Sequence, residues 1–331
     1  MKTEILQANE ENIVKCAEFI KNGGIVAFPT ETVYGLGACA FDEKATEKIF
    51  VAKGRPATNP LIIHVSEKSQ IDTVAEVSEQ ARRLIDALMP GAFTLVLPKK
   101  SIVPSIVTAG FDTVAVRMPD HEVALALINA VGKPICAPSA NSSARPSPTT
   151  AMHVYEDLCG NIPYILDGGK CPFGVESTII DMTRTPPKVL RAGSVDISRV
   201  EDIIGEIDKS SMIIDQLADS KTPMNFMPRA ELTFSAYYEG MDRTICEYYD
   251  SLSKQGRKPI IFCLSKNASL YGDRRVMEMG KTVKEYASRL FETVREAERT
   301  YDSIIAEGVP FGGIGTTLLA RLMKMSNGNV I

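Results

Sequence analysis

With 331 residues, 44% apolar and 24% charged, the chain is long enough to bury two cores of ordinary size. Its formal net charge of -4 argues against a surface built throughout to coat nucleic acid and leaves room only for a local basic groove. Seven cysteines at 16, 39, 136, 159, 171, 246 and 263 include no C-x-x-C pair, and three histidines are dispersed; a disulfide framework, a zinc knuckle and a histidine-rich metal site are all disfavoured.

The first residues lack a basic segment followed by an apolar leader, and no run approaches the roughly 18 apolar residues that span a bilayer. A soluble, cytoplasmic protein without membrane attachment is the expectation. In chain order, residues 13–20 carry apolar positions at helical spacing and stop at Asn22-Gly23-Gly24, leading into a strand at 25–28. Asp42 is an N-cap for a helix running to about 53, which Gly54 and Pro56 break before the apolar run at 61–65. Short β-branched runs follow at 94–98, 113–119, 134–141, 164–169, 177–182 and 188–193, with helical stretches at 78–88, 121–131 and 150–158. This alternation predicts an α/β fold with a large, twisted, mixed sheet flanked by helices.

From Glu201 to Arg229 the periodicity fades into charged, serine- and proline-bearing sequence that reads as a linker. The boundaries expected are a first domain over 1–206, a linker or lid over 207–229 and a second domain over 230–331. In the second, 258–264 is a buried strand candidate. Val283, Tyr286, Ala287, Leu290, Phe291, Val294 and Ala297 trace one face of a long helix. Gly312, Gly313 and Gly315 turn the chain into a last helix, without the Lys-Ser/Thr of a P-loop or a full dinucleotide fingerprint.

Several residues stand out for chemistry. Thr30, Glu31, Thr32 and Tyr34 put hydroxyls and a carboxylate where a buried strand should exit, before Gly35 and Gly37; a polar-ligand site and a plain glycine turn are about equally supported. Lys53-Gly54-Arg55 would aim two cations to one side in extended backbone, though cations at a helix C-terminus are also ordinary dipole partners. Ser139 and Asn141 repeat the i, i+2 spacing at a strand end, where α/β sheets bind ligands. Arg117 and Arg191 interrupt apolar runs and need anionic partners, either internal carboxylates or a ligand. His64, inside a strand, suits a hydrogen-bonded core position better than a general base.

In order, FPTETVYGLG, KGRP, NPLIIHV, PGAFTLVLP, VAVRMP, PSAN, FGVESTIID and VLRAG, from residue 28 to 193, resemble the threonylcarbamoyl-AMP synthase family. The C-terminal GIGTTLLARL resembles the second domain of its longer, Sua5-type members. The resemblance implies a YrdC-like twisted mixed sheet plus a smaller, Rossmann-like α/β domain. It implies condensation of L-threonine, bicarbonate or CO2, and ATP into threonylcarbamoyl-AMP and pyrophosphate, with Mg2+. The product would feed t6A37 modification through a separate tRNA threonylcarbamoyltransferase; tRNA binding by this chain is compatible but not required.

Carried over by motif, Lys53, Arg55, Ser139 and Asn141 are the catalytic candidates. Arg55, Asn59, Thr113, Ser139, Ser147, Arg191 and Asn225 are expected around ATP, and Thr32, His64, Arg117, Ala137 and Ser177 around threonine. No protein side chain is assigned to metal. Longer members carry His-Tyr-Ala-Pro in the linker, where this chain has Asn225-Phe226-Met227-Pro228. The competing reading is an RNA-binding, tRNA-processing module without adenylation activity; acidic net charge and the lack of aromatic-basic interleaving weigh against it.

Overall fold

The structure, a computed structural model, describes residues 1–210 and 226–331. The chain divides into two compact units, Met1–Ser143 with Ser147–Met212, and Ala144–Pro146 with Ile213–Ile331.

The strands of the first unit are β1 (Glu4–Gln7), β2 (Val26–Phe28), β3 (Gly35–Cys39), β4 (Ile62–His64), β5 (Phe93–Pro98), β6 (Thr113–Arg117), β7 (Ile135–Ala137), β8 (Tyr164–Asp167), β9 (Thr178–Asp181) and β10 (Lys188–Arg191). They form one ten-stranded mixed sheet in the order β1-β8-β2-β3-β7-β4-β6-β5-β9-β10. Its helices are α1 (Glu10–Lys21), α2 (Glu43–Lys53), α3 (Ile71–Val74), α4 (Glu79–Leu88), α5 (Glu122–Val131), α6 (Ala151–Leu158) and α7 (Ile197–Ile204).

Local chemistry fixes several of these ends. The Asn9 side chain accepts from the Asn12 amide and opens α1, and Asp42 does the same for Ala45 at α2. Helix α2 closes at Gly54 in the left-handed region, φ 61°. That cap overturns the extended Lys53-Gly54-Arg55 geometry expected above: Lys53 is the last helical residue, so strand alternation does not relate the two cations. Two elements differ from the expectation. Strand β3 forms despite its two glycines, and α7 continues past Glu201, where the hydrophobic pattern fades; Ile207 is still part of the first core and Asp208 bridges to Lys188.

The sheet has two unlike halves. Around β2, β3 and β7, one face packs Val26, Phe28, Ile135 and Ala137 against Cys16, Ala17 and Ile20 of α1 and Leu127 and Ile128 of α5. A Cβ on Gly37 would sit 2.7 Å from Ile135 Cγ2 and 2.8 Å from the Phe28 ring, so only glycine lets these strands and rings close up. In the half formed by β4, β6, β5 and β9, Ile63, Val114, Val116, Leu95, Leu97 and Ile180 are buried on one side. Their alternates Ile62, Ala115, Val96 and Ile179 are only half-buried. One face of that half is therefore core and the other is open.

The second unit contains β11 (Glu231–Phe234), α8 (Met241–Lys254), β12 (Pro259–Cys263), β13 (Val276–Glu278), α9 (Val283–Ala297), β14 (Ser303–Ala306) and α10 (Ile314–Met325). The four strands pair in parallel in the order β11-β14-β12-β13, the Rossmann-like layout expected. Tyr286, Ala287, Leu290, Phe291, Val294 and Ala297 of α9 are buried, as their spacing predicts, while Val283 at the first turn is only half-buried. Just past β14, the buried Glu307 accepts from the Leu264 amide, Asn267 and the Tyr271 hydroxyl, tying two strand ends together. Phe226 stacks near Phe291 with centroids 5.2 Å apart and lies under Arg321, and Arg145 pairs with Glu298 within this unit. Asn225 lies outside the described residues.

Candidate active site

Strand register collects the sequence-predicted residues on the open face. His64 pairs with Arg117 and Ile62 with Ala115, so Thr113, Ala115 and Arg117 point the same way at two-residue steps. Ala137 lies opposite Ile62, and Ser139 bridges to Gly35 one step beyond β7. Thr94, next after the Leu95–Val116 pair, faces the same side. Arg191 reaches that face through a bulge: Val189 pairs with Ile180, but Arg191, not Leu190, pairs with Ile179. Without the extra residue Arg191 would point into the core.

Lys53 is buried, and its amine donates to the carbonyl of Ser139 at 2.5 Å and to that of Asn141. Burial, and then the Arg55 charge, pull this amine down to about 7. The Ser139 hydroxyl donates to Asn141 Oδ1 at 2.5 Å, and the Ser143 amide returns to the Lys53 carbonyl at 2.8 Å. Lys53 thus clamps the 139–143 turn to the end of α2. Arg55 sits half-buried in the loop that also carries Asn59; its Nη2 reaches the Pro60 carbonyl at 3.5 Å, and its buried Nε has no hydrogen-bond partner among the described residues.

The 30–34 loop offers acceptors. Thr30 donates its hydroxyl proton to the Val33 carbonyl at 2.7 Å, so the 2.9 Å contact with Thr32 is a donation from Thr32, whose oxygen keeps its lone pairs. His64 is held neutral, pulled down to about 3 by burial and then by the Arg117 charge. Its Nδ1 lies 3.1 Å from the Ile62 carbonyl, which can only accept, so Nδ1 carries the proton and Nε2 is an acceptor. This is a satisfied strand histidine with one nitrogen to spare.

At the other side, Arg191 Nε donates to the Ser177 carbonyl at 2.9 Å and Nη2 to its hydroxyl at 3.0 Å. Thr94 Oγ1 lies 2.7 Å from the same hydroxyl. Ser147 donates to the Glu176 carboxylate at 2.8 Å. Loop closures join these groups: the Tyr34 amide bonds the Pro148 carbonyl, the Ala140 amide the Tyr34 carbonyl, and the Thr178 amide the Ala92 carbonyl. Thr32, His64, Arg117 and Ser177 are therefore carried on strands and loops bonded to those that carry Lys53, Ser139, Asn141, Ser147 and Arg191. Thr113 lies on the same open face, and Arg55 and Asn59 on the loop entering β4.

Sequence reasoning passed over Thr94, Glu176 and Gly193. Thr94 is a lone hydroxyl in an apolar strand, a signal as legible as Arg117. Gly193 has a backbone reason: a Cβ there would lie 2.3 Å from the Ser177 carbonyl carbon. Arg117, for which an internal carboxylate was one of two alternatives, has one, with Nη2 2.7 Å from Glu31 Oε2. Among the described residues no group of three or more His, Cys, Asp or Glu side chains is placed to hold a metal ion.

The pattern has known counterparts. Residues 18–193 match the family described as Telomere recombination, and residues 223–326 match the one described as Threonylcarbamoyl-AMP synthase, C-terminal domain. A threonylcarbamoyl-AMP synthase of Pyrococcus abyssi is 45% identical, the alignment covering 95% of this chain and 94% of that protein. One of Bacillus subtilis is 40% identical over 99% of this chain and 97% of its own length. The solved structure of P. abyssi Sua5 complexed with L-threonine superposes with a TM-score of 0.92 at 43% identity, covering 99% of both chains. With these relatives, the chain is an enzyme of the nucleotidyl-transferring kind. The chain belongs to the threonylcarbamoyl-AMP synthase family.

Proposed function

We propose that this chain joins L-threonine, bicarbonate or CO2, and ATP into threonylcarbamoyl-AMP with release of pyrophosphate. The observation that supports the reading is the open sheet face, where Arg117 and Arg191 lie on the side that carries His64 and the Glu31–Arg117 contact brings in the loop of Thr32, with Arg55 on the loop that enters β4. A threonine carbamate attacking the α-phosphate builds negative charge on the departing pyrophosphate, so fixed cations and donors are the catalyst required. Arg55 and Asn59 on their exposed loop meet the phosphates; Thr113, Ser139, Ser147 and Arg191 surround the nucleotide, with Asn225 as a linker candidate. Lys53 acts by holding Ser139 and Asn141 in place. Thr32 and His64 accept from the amino acid's donors, with Arg117, Ser177 and the Ala137 backbone completing that pocket.

Mg2+ fits as an ion carried in by ATP on phosphate oxygens and water, since the described residues build no cage for it. Bound there it would neutralise phosphate charge. The product would serve t6A37 modification by a separate tRNA threonylcarbamoyltransferase. Cytoplasmic residence is consistent with free, mostly buried cysteines, and no described helix is long and apolar enough to cross a membrane. The domain division proposed is 1–206, 207–229 and 230–331, with Ile207 and Asp208 at the head of the linker still packed on the first domain.

Pyrophosphate release with threonine, serine or no amino acid, each with ATP and bicarbonate, tests the assignment. Threonine-selective release is expected, and Arg55→Gln should abolish it. Release independent of the amino acid, or salt-dependent tRNA binding without release, would reject the synthase reading.

A further inference from the structure

Glu31 is a buried charge beside the site that the reaction leaves unused. It is 2% exposed, and its Oε2 lies 2.7 Å from Arg117 Nη2. The contact is short but off-line: among the described residues neither Glu31 oxygen accepts a hydrogen bond, and Arg117 Nη2 makes none. The other side of the guanidinium is anchored, with Nε donating to the Gly91 carbonyl at 3.3 Å. A carboxylate presents about four lone-pair sites. An ion pair kept for structure fills them by bidentate geometry or by added donors. This pair has neither.

The neighbouring groups are short of donors as well. Thr32, the next residue, has hydroxyl lone pairs left over, and His64, register partner of Arg117, keeps Nε2 as an acceptor. His121, which heads α5, has a buried Nδ1 without a hydrogen bond among the described residues; burial pulls its pKa down, and the Glu31 charge is the largest effect opposing that. Several acceptors and one guanidinium edge thus wait on a ligand that brings several donors and one anionic group. An α-amino acid zwitterion has that composition, and its two charges lie head to tail against the protein's pair.

Resting on the reading that threonine is the substrate, we propose that Glu31 receives the α-ammonium of the amino acid while Arg117 receives its carboxylate. Glu31 is then a specificity-determining residue: it selects the amino acid over the same carboxylic acid lacking the α-amine. Once bound, the zwitterion supplies the donors the carboxylate lacks.

Calorimetric titration of the full chain with threonine and with 3-hydroxybutyrate, its analogue without the amine, tests this. Wild-type protein should bind the analogue at least about 30-fold more weakly, the size of one charge-assisted hydrogen bond. Glu31→Gln should weaken threonine by a similar factor while leaving the analogue within about threefold, collapsing the discrimination. Glu31→Asp, which keeps the charge, should restore part of it and covers the case in which Glu31→Gln does not fold. Equal wild-type affinity for the two ligands overturns the proposal, as does a variant that weakens both alike, since that reports a structural role. Wild-type protein that binds no threonine rejects the substrate reading, whereas threonine binding without discrimination rejects only the role of Glu31.

Discussion

Replacing Gly193 with alanine would drive a methyl group into the backbone that presents Ser177. The new Cβ would meet the Ser177 carbonyl carbon at 2.3 Å, the Thr178 nitrogen at 2.4 Å and the Glu176 oxygen at 2.5 Å, all main-chain atoms that cannot rotate away. Restoring ordinary contact requires the 176–178 segment to move by about 1 Å, roughly the gap to a normal carbon contact distance. That displacement breaks the Arg191 bonds to Ser177, which are 2.9 and 3.0 Å long. Overpacking of this kind destabilises by about 1–3 kcal/mol, or about 3–10 °C in Tm for a unit of this size. Misplacement by about 1 Å lowers turnover about 100-fold. Thermal melting and steady-state pyrophosphate release measure the two effects. A folded Gly193→Ala protein with wild-type kcat and KM for threonine and ATP would show that the 176–178 segment does not shape the site.

Lys53→Met leaves two buried carbonyls without their donor, at about 1–3 kcal/mol each, partly offset by removal of an amine that burial disfavours. Turnover should fall about 100-fold as Ser139 and Asn141 shift, and unchanged release rates would refute the clamp. His64 is neutral when folded and titrates near 3, below its unfolded value, so the unfolded chain binds more protons between about 3 and 6.5. Stability from this group is complete above about 6.5 and is lost as pH falls. The urea-measured advantage of wild type over His64→Gln should therefore shrink by about 2 kcal/mol between pH 8 and 5. A constant difference would mean that His64 takes up its proton normally in the folded state. Thr94→Val removes the buried hydroxyl 2.7 Å from Ser177; KM for threonine should rise about fivefold and Tm should fall by a few degrees, and an unchanged KM would remove Thr94 from the site.

Helices with strong caps were legible because their signals are local: Asp42 and Gly54 bracket α2 within a few residues. The short β-branched strands were legible for the same reason. Strand β3, GLGAC, was not, since two glycines carry no β preference and its pairing with Phe28 and Ile135 is tertiary. Strands β11, β13 and β14 are three or four residues long, too short for periodicity to register. Within the site, motif order marked residues that direct spacing could not place. The spacing argument for Lys53 and Arg55 failed because a helix cap sits between them. The Glu31 partner of Arg117 was beyond reach, since a loop and a strand end meet only through the fold. The bulge that aims Arg191 is a matter of register, which a single strand sequence does not encode.

Among the described strands, β1 pairs with β8 alone, and β8 also borders β2. During synthesis the first strand must wait for a partner 160 residues downstream, as the Gln7–Asp167 pairing shows. At ribosomal speeds this delay is about 8–30 s. Throughout it the Val26–Phe28 strand has a bare edge, so the nascent chain is open to wrong pairing until Asp167 emerges.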